Sequence, residues 1–88
     1  MMEQFERAIR SNMANAERDL RTDEDKRGFV IGAVLKFWEV YQAKQIDESQ
    51  FDRLIGILSG FSKGTYKQFI TDQVKDYKAG NPPTIIGY

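Results

Sequence analysis

Ile46-Asp47-Glu48-Ser49-Gln50-Phe51 contains a complete helix-start signal. The side chain of Asp47 can accept a hydrogen bond from the backbone of the following turn, and Gln50 can reach back to the N–H of Asp47. Ile46 and Phe51 flank this capping box at the spacing of a hydrophobic staple. Because the signal separates the two most apolar segments, residues 28–43 and 51–61, it predicts a tight helical hairpin at the centre of the fold.

Four helical patterns are arranged around this signal. Residues 2–20 carry one narrow apolar stripe at helical spacing, made of Met2, Phe5, Ile9, Met13, Ala16 and Leu20. The second helix starts at a cap on Thr22 or Asp23 and runs to about Gln45, and its apolar residues cover so much of its circumference that it must be surrounded. The third helix spans residues 48–59, and Ser62 is expected to cap a fourth that ends before Pro82. The sequence therefore predicts an all-α, compact four-helix domain over residues 1–80, followed by a proline-containing apolar tail over residues 81–88.

The composition excludes several classes of function. The 88 residues include no cysteine and no histidine, so disulfides, thiolate metal sites and the commonest general base are all missing. Basic and acidic residues number 13 each, which leaves no net charge to attract nucleic acid or an anionic membrane. The uncharged runs, residues 28–35 and 54–62, are too short to span a bilayer. We therefore expect a cytoplasmic protein that binds no membrane, is not an enzyme, and uses no cofactor and no metal ion.

Residues 51–69 resemble a helix-turn-helix motif. Gly60 stands where that motif places its turn glycine, and Gly56 stands at the small position four residues earlier. The resemblance implies a recognition helix starting near Ser62, with the DNA contacts made by Lys63, Thr65, Lys67 and Gln68. The charge is weak for a DNA-binding segment, because four lysines face two aspartates between Ser62 and Lys78. The alternative is two packed helices around a glycine turn.

The first helix also carries a basic stripe opposite its apolar one. Its members are Arg7, Arg10, Arg18 and Arg21, and Ala14 interrupts them for one turn. Arginine is the cation best suited to carboxylates and to protein interfaces, so the stripe predicts a contact with an acidic partner. The alternative is a solvated face neutralised by the helical pairs Glu3–Arg7, Glu6–Arg10 and Glu17–Arg21.

Apolar surface is in excess for a chain of this length. The tail contributes Ile85, Ile86 and Tyr88, which either complete the core or contact a partner. Gly28 and Gly32 are four residues apart, and we expect this spacing to let a helix of the same core approach closely. A homo-oligomer is the simplest way to bury what remains, because self-association covers the same patch twice.

These observations favour a small protein that works by binding another protein. Small inhibitors and antirepressors carried by phages or other mobile elements have this character, and they act by occluding or remodelling a target surface. Two alternatives remain open: a helix-turn-helix DNA-binding protein that uses residues 51–69, and a structural subunit of a homo-oligomer.

Overall fold

The computed structural model describes residues 2–80, which form four α-helices and no strand. The helices are α1 (Met2–Asp19), α2 (Asp23–Gln42), α3 (Glu48–Leu58) and α4 (Lys67–Lys78), with a short 3₁₀ turn over Phe61–Gly64 between α3 and α4. The predicted all-α, four-helix fold is therefore confirmed. The predicted tail, residues 81–88, lies outside the described residues.

The hairpin between α2 and α3 forms at the predicted cap. Asp47 accepts a 2.8 Å hydrogen bond from the Gln50 N–H, and the Gln50 side chain accepts one of 2.8 Å from the Asp47 N–H. Ile46 and Phe51, the staple pair, are both buried. Two orphan N–H groups are thus satisfied at the point where the chain turns back on itself.

Helix α2 ends at Gln42, three residues before the predicted Gln45. Lys44 adopts a left-handed conformation with φ of 62°, and its N–H donates to the Tyr41 carbonyl at 3.0 Å. The Gln45 N–H donates to the Val40 carbonyl at 3.0 Å, which completes a Schellman motif. Glycine usually holds this left-handed position, so a lysine there hid the end of the helix from the sequence pattern.

The core is built around α2, which packs against each of the other three helices. Its buried residues are Val30, Val34, Phe37 and Val40; α3 adds Phe51, Leu54 and Leu58, and the remaining core residues are Ile9, Ala16, Ile46, Phe61, Tyr66, Ile70 and Tyr77. Trp38 of α2 is half-buried at the edge of this core, with its ring 5.6 Å from those of Phe51 and Tyr77.

The connection from α3 to α4 differs from the prediction. Ser62 does not cap α4: Ser62, Lys63 and Gly64 are left-handed, with φ of 54°, 57° and 82°, and α4 begins at Lys67. Phe61 and Tyr66, on either side of this turn, are buried with ring centroids 6.0 Å apart. The tertiary burial of these two rings holds the turn in a conformation that serine and lysine alone disfavour.

Both ends of α4 are tied to the rest of the fold by polar contacts. The Tyr66 hydroxyl, just before α4, donates to the Asp23 carboxylate at 2.6 Å, at the start of α2. At the other end the Lys78 ammonium lies 3.1 Å from Glu48 and 3.0 Å from Asp52, both on α3. Helix α4 therefore lies along one flank of α2 and leaves the opposite flank to α1.

Candidate protein-interaction surfaces

The four arginines of α1 and the segment after it are all exposed. We call Arg7, Arg10, Arg18 and Arg21 the arginine face. Ile9 and Ala16, on the opposite side of the helix, are buried, so packing directs the arginines outward. Arg7, Arg10 and Arg18 are therefore exposed on α1, whereas Arg21 lies beyond its last residue, Asp19.

The glutamates that were expected to neutralise the arginine face do not do so among residues 2–80. Glu6 turns away from Arg10 and lies 2.7 Å from Arg53 of α3. No ion pair forms between Glu3 and Arg7 or between Glu17 and Arg21 within these residues. The pairing drawn from helical spacing is therefore wrong, because Glu6 has a better-placed cation on α3.

The C-terminal half of the arginine face is partly engaged. Arg18 forms a two-pronged contact with Asp19, at 2.9 and 3.1 Å, and this hydrogen bonding lowers the pKa of the Asp19 carboxyl. Arg21 donates to the Arg18 carbonyl. Arg7 and Arg10 form no ion pair within residues 2–80, so their guanidinium groups are the most available on this face.

A second surface lies on the side of α2 that faces away from the core. We define the outer face of α2 as Gly28, Ile31, Gly32 and Leu35, which share one side of the helix at about 100° per residue. Both glycines are exposed, and a Cβ added at either would meet no atom within 4 Å. The expectation that they admit a helix of the same core is therefore wrong, because no part of residues 2–80 covers them.

Ile31 and Leu35 make this face apolar. Both are half-buried, yet neither belongs to the core cluster or to the side chains packed against it. The sequence analysis did not predict Ile31 and Leu35 to be surface residues, because it counted them only among the many apolar residues of α2. The signal was present, since α2 is apolar on more sides than three neighbouring helices can cover.

A groove between α1 and α2 borders the outer face. It has a volume of about 530 Å³ and is lined mainly by apolar and small residues: Phe5, Ala8, Ile9, Asn12, Gly28, Phe29, Gly32, Ala33, Lys36 and Phe37. A second hollow shares Asn12 and Phe29 with it and reaches Leu20 and Asp25. The groove thus runs from Lys36 at one end to Asp25 at the other, and both residues are exposed without an ion pair among residues 2–80.

The residues of the helix-turn-helix alternative are exposed, but their framework differs from the motif. Thr65, Lys67 and Gln68 lie at the start of α4, whereas Lys63 lies in the left-handed turn before it. The Gln68 amide donates to Asp72 at 2.9 Å. Helix α4 packs mainly on α2, while Lys78 near its end also pairs with Glu48 and Asp52 of α3.

Ile85, Ile86 and Tyr88, the predicted contacts of the tail, lie outside the described residues. Within residues 2–80, no helix combines the length and the apolar character needed to cross a membrane, and no group of three acidic residues is placed to hold a metal ion. Comparison with known proteins finds no family model, no curated protein and no solved structure that matches this chain.

Proposed function

We propose that this protein is a small, non-enzymatic regulator that binds an acidic surface of another protein through the arginine face of α1. The observation that carries the proposal is the exposure of Arg7 and Arg10 without ion pairs among residues 2–80, since Glu6 is engaged by Arg53. Helix α1 is already held by its buried side. Four aligned arginines are therefore more than its folding needs.

Arginine suits such a role for chemical reasons. Its planar guanidinium presents five donors that match a carboxylate in a two-pronged geometry, and it sheds water more easily than a lysine ammonium does. Each exposed ion pair contributes little by itself, so the binding would depend on several arginines acting together. Arg7 and Arg10 are three residues apart on α1, so the two can address neighbouring carboxylates on a single partner, and Arg18 adds a third guanidinium two turns further along.

The mechanism that fits this surface is occlusion of the target. An inhibitor or antirepressor of the kind carried by phages or mobile elements would cover an acidic surface that the target needs for its own partner. Complementary charge would accelerate the encounter and make the affinity fall as salt rises.

The proposal is tested by reversing charge at two places on the same protein. The tagged full-length chain is used to capture and identify a target from its host, and the affinity is then measured by titration. Arg7→Glu with Arg10→Glu should weaken binding by about tenfold or more, because two attractive contacts become repulsive. Lys63→Glu with Lys67→Glu changes the charge equally and should leave the affinity unchanged.

The reverse pattern would contradict the proposal. If the lysine variant loses its target while the arginine variant keeps it, the binding surface lies at the start of α4. If the lysine variant also loses a salt-sensitive complex with duplex DNA, the helix-turn-helix alternative replaces the proposed function.

A further inference from the structure

We propose that the outer face of α2 is a homodimer interface, across which the same helix of a second copy packs antiparallel. This proposal is independent of the arginine face, which lies on the far side of α1. It rests on three features of the described residues: two exposed glycines, an uncovered apolar surface, and charges that become complementary when the face meets itself.

Neither glycine is required by the backbone conformation or by a close neighbour within residues 2–80. Glycine weakens a helix relative to alanine, yet Gly28 and Gly32 both lie in the interior of α2. Neither glycine has a positive φ, and neither faces an atom that a Cβ would strike. What two glycines four residues apart do provide is a flat strip on which another helix can approach more closely than ordinary side chains allow.

Symmetry fixes how a second copy would lie. If two α2 helices pack antiparallel about a two-fold axis level with Val30, Gly28 of one copy faces Gly32 of the other. Ile31 then lies next to the axis and meets the same residue of the second copy. The half-buried Leu35 follows one turn further along on the same face. The apolar surface that this chain leaves in water is thereby buried twice by one contact.

The charges agree with this register. Asp25 precedes the axis by five residues, and Lys36 follows it by six. In an antiparallel pair, Asp25 of one copy therefore lies one residue, or about 1.5 Å along the helix, from the level of Lys36 of the other copy. At about 100° per residue the two lie on the same flank of α2, and the two-fold axis brings like flanks together. Both side chains are exposed and form no ion pair within residues 2–80.

These features favour a second copy over an unrelated partner. The outer face has the negative Asp25 near one end and the positive Lys36 near the other, so two antiparallel copies place opposite charges together. Such self-complementarity is the defining property of a two-fold interface. A parallel arrangement would instead set Lys36 against Lys36 and Asp25 against Asp25. The chain has no net charge, so no general repulsion opposes the association of two copies.

The first test measures the molecular mass of the full-length chain by sedimentation over a range of concentrations. The wild-type protein should approach twice the chain mass of 10.2 kDa. Gly28→Gln with Gly32→Gln should raise the dissociation constant of the dimer by about tenfold or more, because the added side chains hold the helices apart. Thermal unfolding of the dilute variant should be unimpaired, because glutamine favours a helix and has open space at both positions. Gly56→Gln is the control, since Gly56 is also helical, exposed and clear of neighbours.

The second test checks the antiparallel register. Lys36→Asp should weaken the dimer, and adding Asp25→Lys to the same chain should restore it, because the exchanged charges meet again across the axis. A wild-type chain that stays monomeric at every accessible concentration would overturn the proposal. So would a dimer that ignores the glycine and charge variants, or one that is lost when Pro83–Tyr88 is deleted while both glycines remain. None of these results bears on the arginine face, whose target binding is measured separately.

Discussion

The two sides of α2 differ in how the rest of residues 2–80 covers them. The inner side presents Val30, Val34 and Phe37, of which the two valines are fully buried. The outer side presents Gly28 and Gly32, which are exposed and at which an added Cβ would meet no atom within 4 Å. A helix that is apolar on nearly every side needs neighbours on every side. Residues 2–80 supply three, so the inner side builds the fold, and the outer side is the one for which we propose association with a second copy.

The largest expected effect on stability comes from removing a buried side chain on the inner side of α2. Phe37→Ala should lower the free energy of unfolding by about 3–5 kcal/mol, because it removes a buried ring and leaves a cavity among three helices. Leu35→Ala, two residues away on the outer side, should cost less than about 1 kcal/mol in the dilute protein. Chemical denaturation of both variants measures the difference. Equal losses of unfolding free energy in the two variants would contradict the proposed difference between the two sides of α2.

An intermediate effect is expected at the hairpin that presses the inner side against α3. Asp47→Ala should cost about 0.5–2 kcal/mol, because the Gln50 N–H loses its acceptor and the reciprocal contact is broken. Ser49→Ala lies in the same helical turn and is the matched control. If thermal unfolding responds equally to both substitutions, the capping box does not stabilise the hairpin.

The smallest effect concerns the hydrogen bond that fixes α4 along one flank of α2. The bond to Asp23 raises the pKa of the Tyr66 hydroxyl. The folded state therefore binds this proton more tightly than the unfolded chain does. The resulting stability is complete below about pH 10, the ordinary pKa of tyrosine, and is lost as pH rises through the folded-state pKa.

Replacing this hydroxyl should therefore change the alkaline limb of the stability curve. Tyr66→Phe should be less stable than the wild type at neutral pH and should lose less additional stability between about pH 9 and 11. Thermal unfolding across that range measures both effects. Tyr41→Phe is the control, because Tyr41 is half-buried and its ring packs against Trp38. Parallel curves for the wild type and Tyr66→Phe would show that the bond contributes nothing to the pH dependence.

Features decided within one turn of chain could be predicted from the sequence. The Asp47–Gln50 box needs only residues three apart, and it forms as expected. Features decided by distant contacts could not. Ser62 looked like a cap by its residue type, but burial of Phe61 and Tyr66 drives it into a left-handed turn instead. Lys44 ends α2 at a position where the sequence offered no glycine to mark it.

The candidate surfaces also combine features that local sequence determines with features that distant contacts determine. The arginine face follows from helical spacing, so the sequence located it, but the engagement of Glu6 by Arg53 depends on how α1 packs against α3. The spacing of Gly28 and Gly32 was equally visible. Whether these glycines would be covered depended on the arrangement of three other helices, which no local pattern encodes. Sequence reasoning therefore identified the glycine pair but could not predict that residues 2–80 leave it uncovered.

The measurement that tests the contrast most directly is the solvent exposure of side-chain methyl groups, read by NMR from their relaxation by a soluble paramagnetic probe. We predict that the methyls of Val30 and Val34 are protected at every protein concentration. Those of Ile31 and Leu35 should be relaxed by the probe in dilute protein and become protected as the concentration rises. Methyls of Ile31 and Leu35 that are fully protected in the monomer, or that stay exposed however concentrated the protein, would contradict the account.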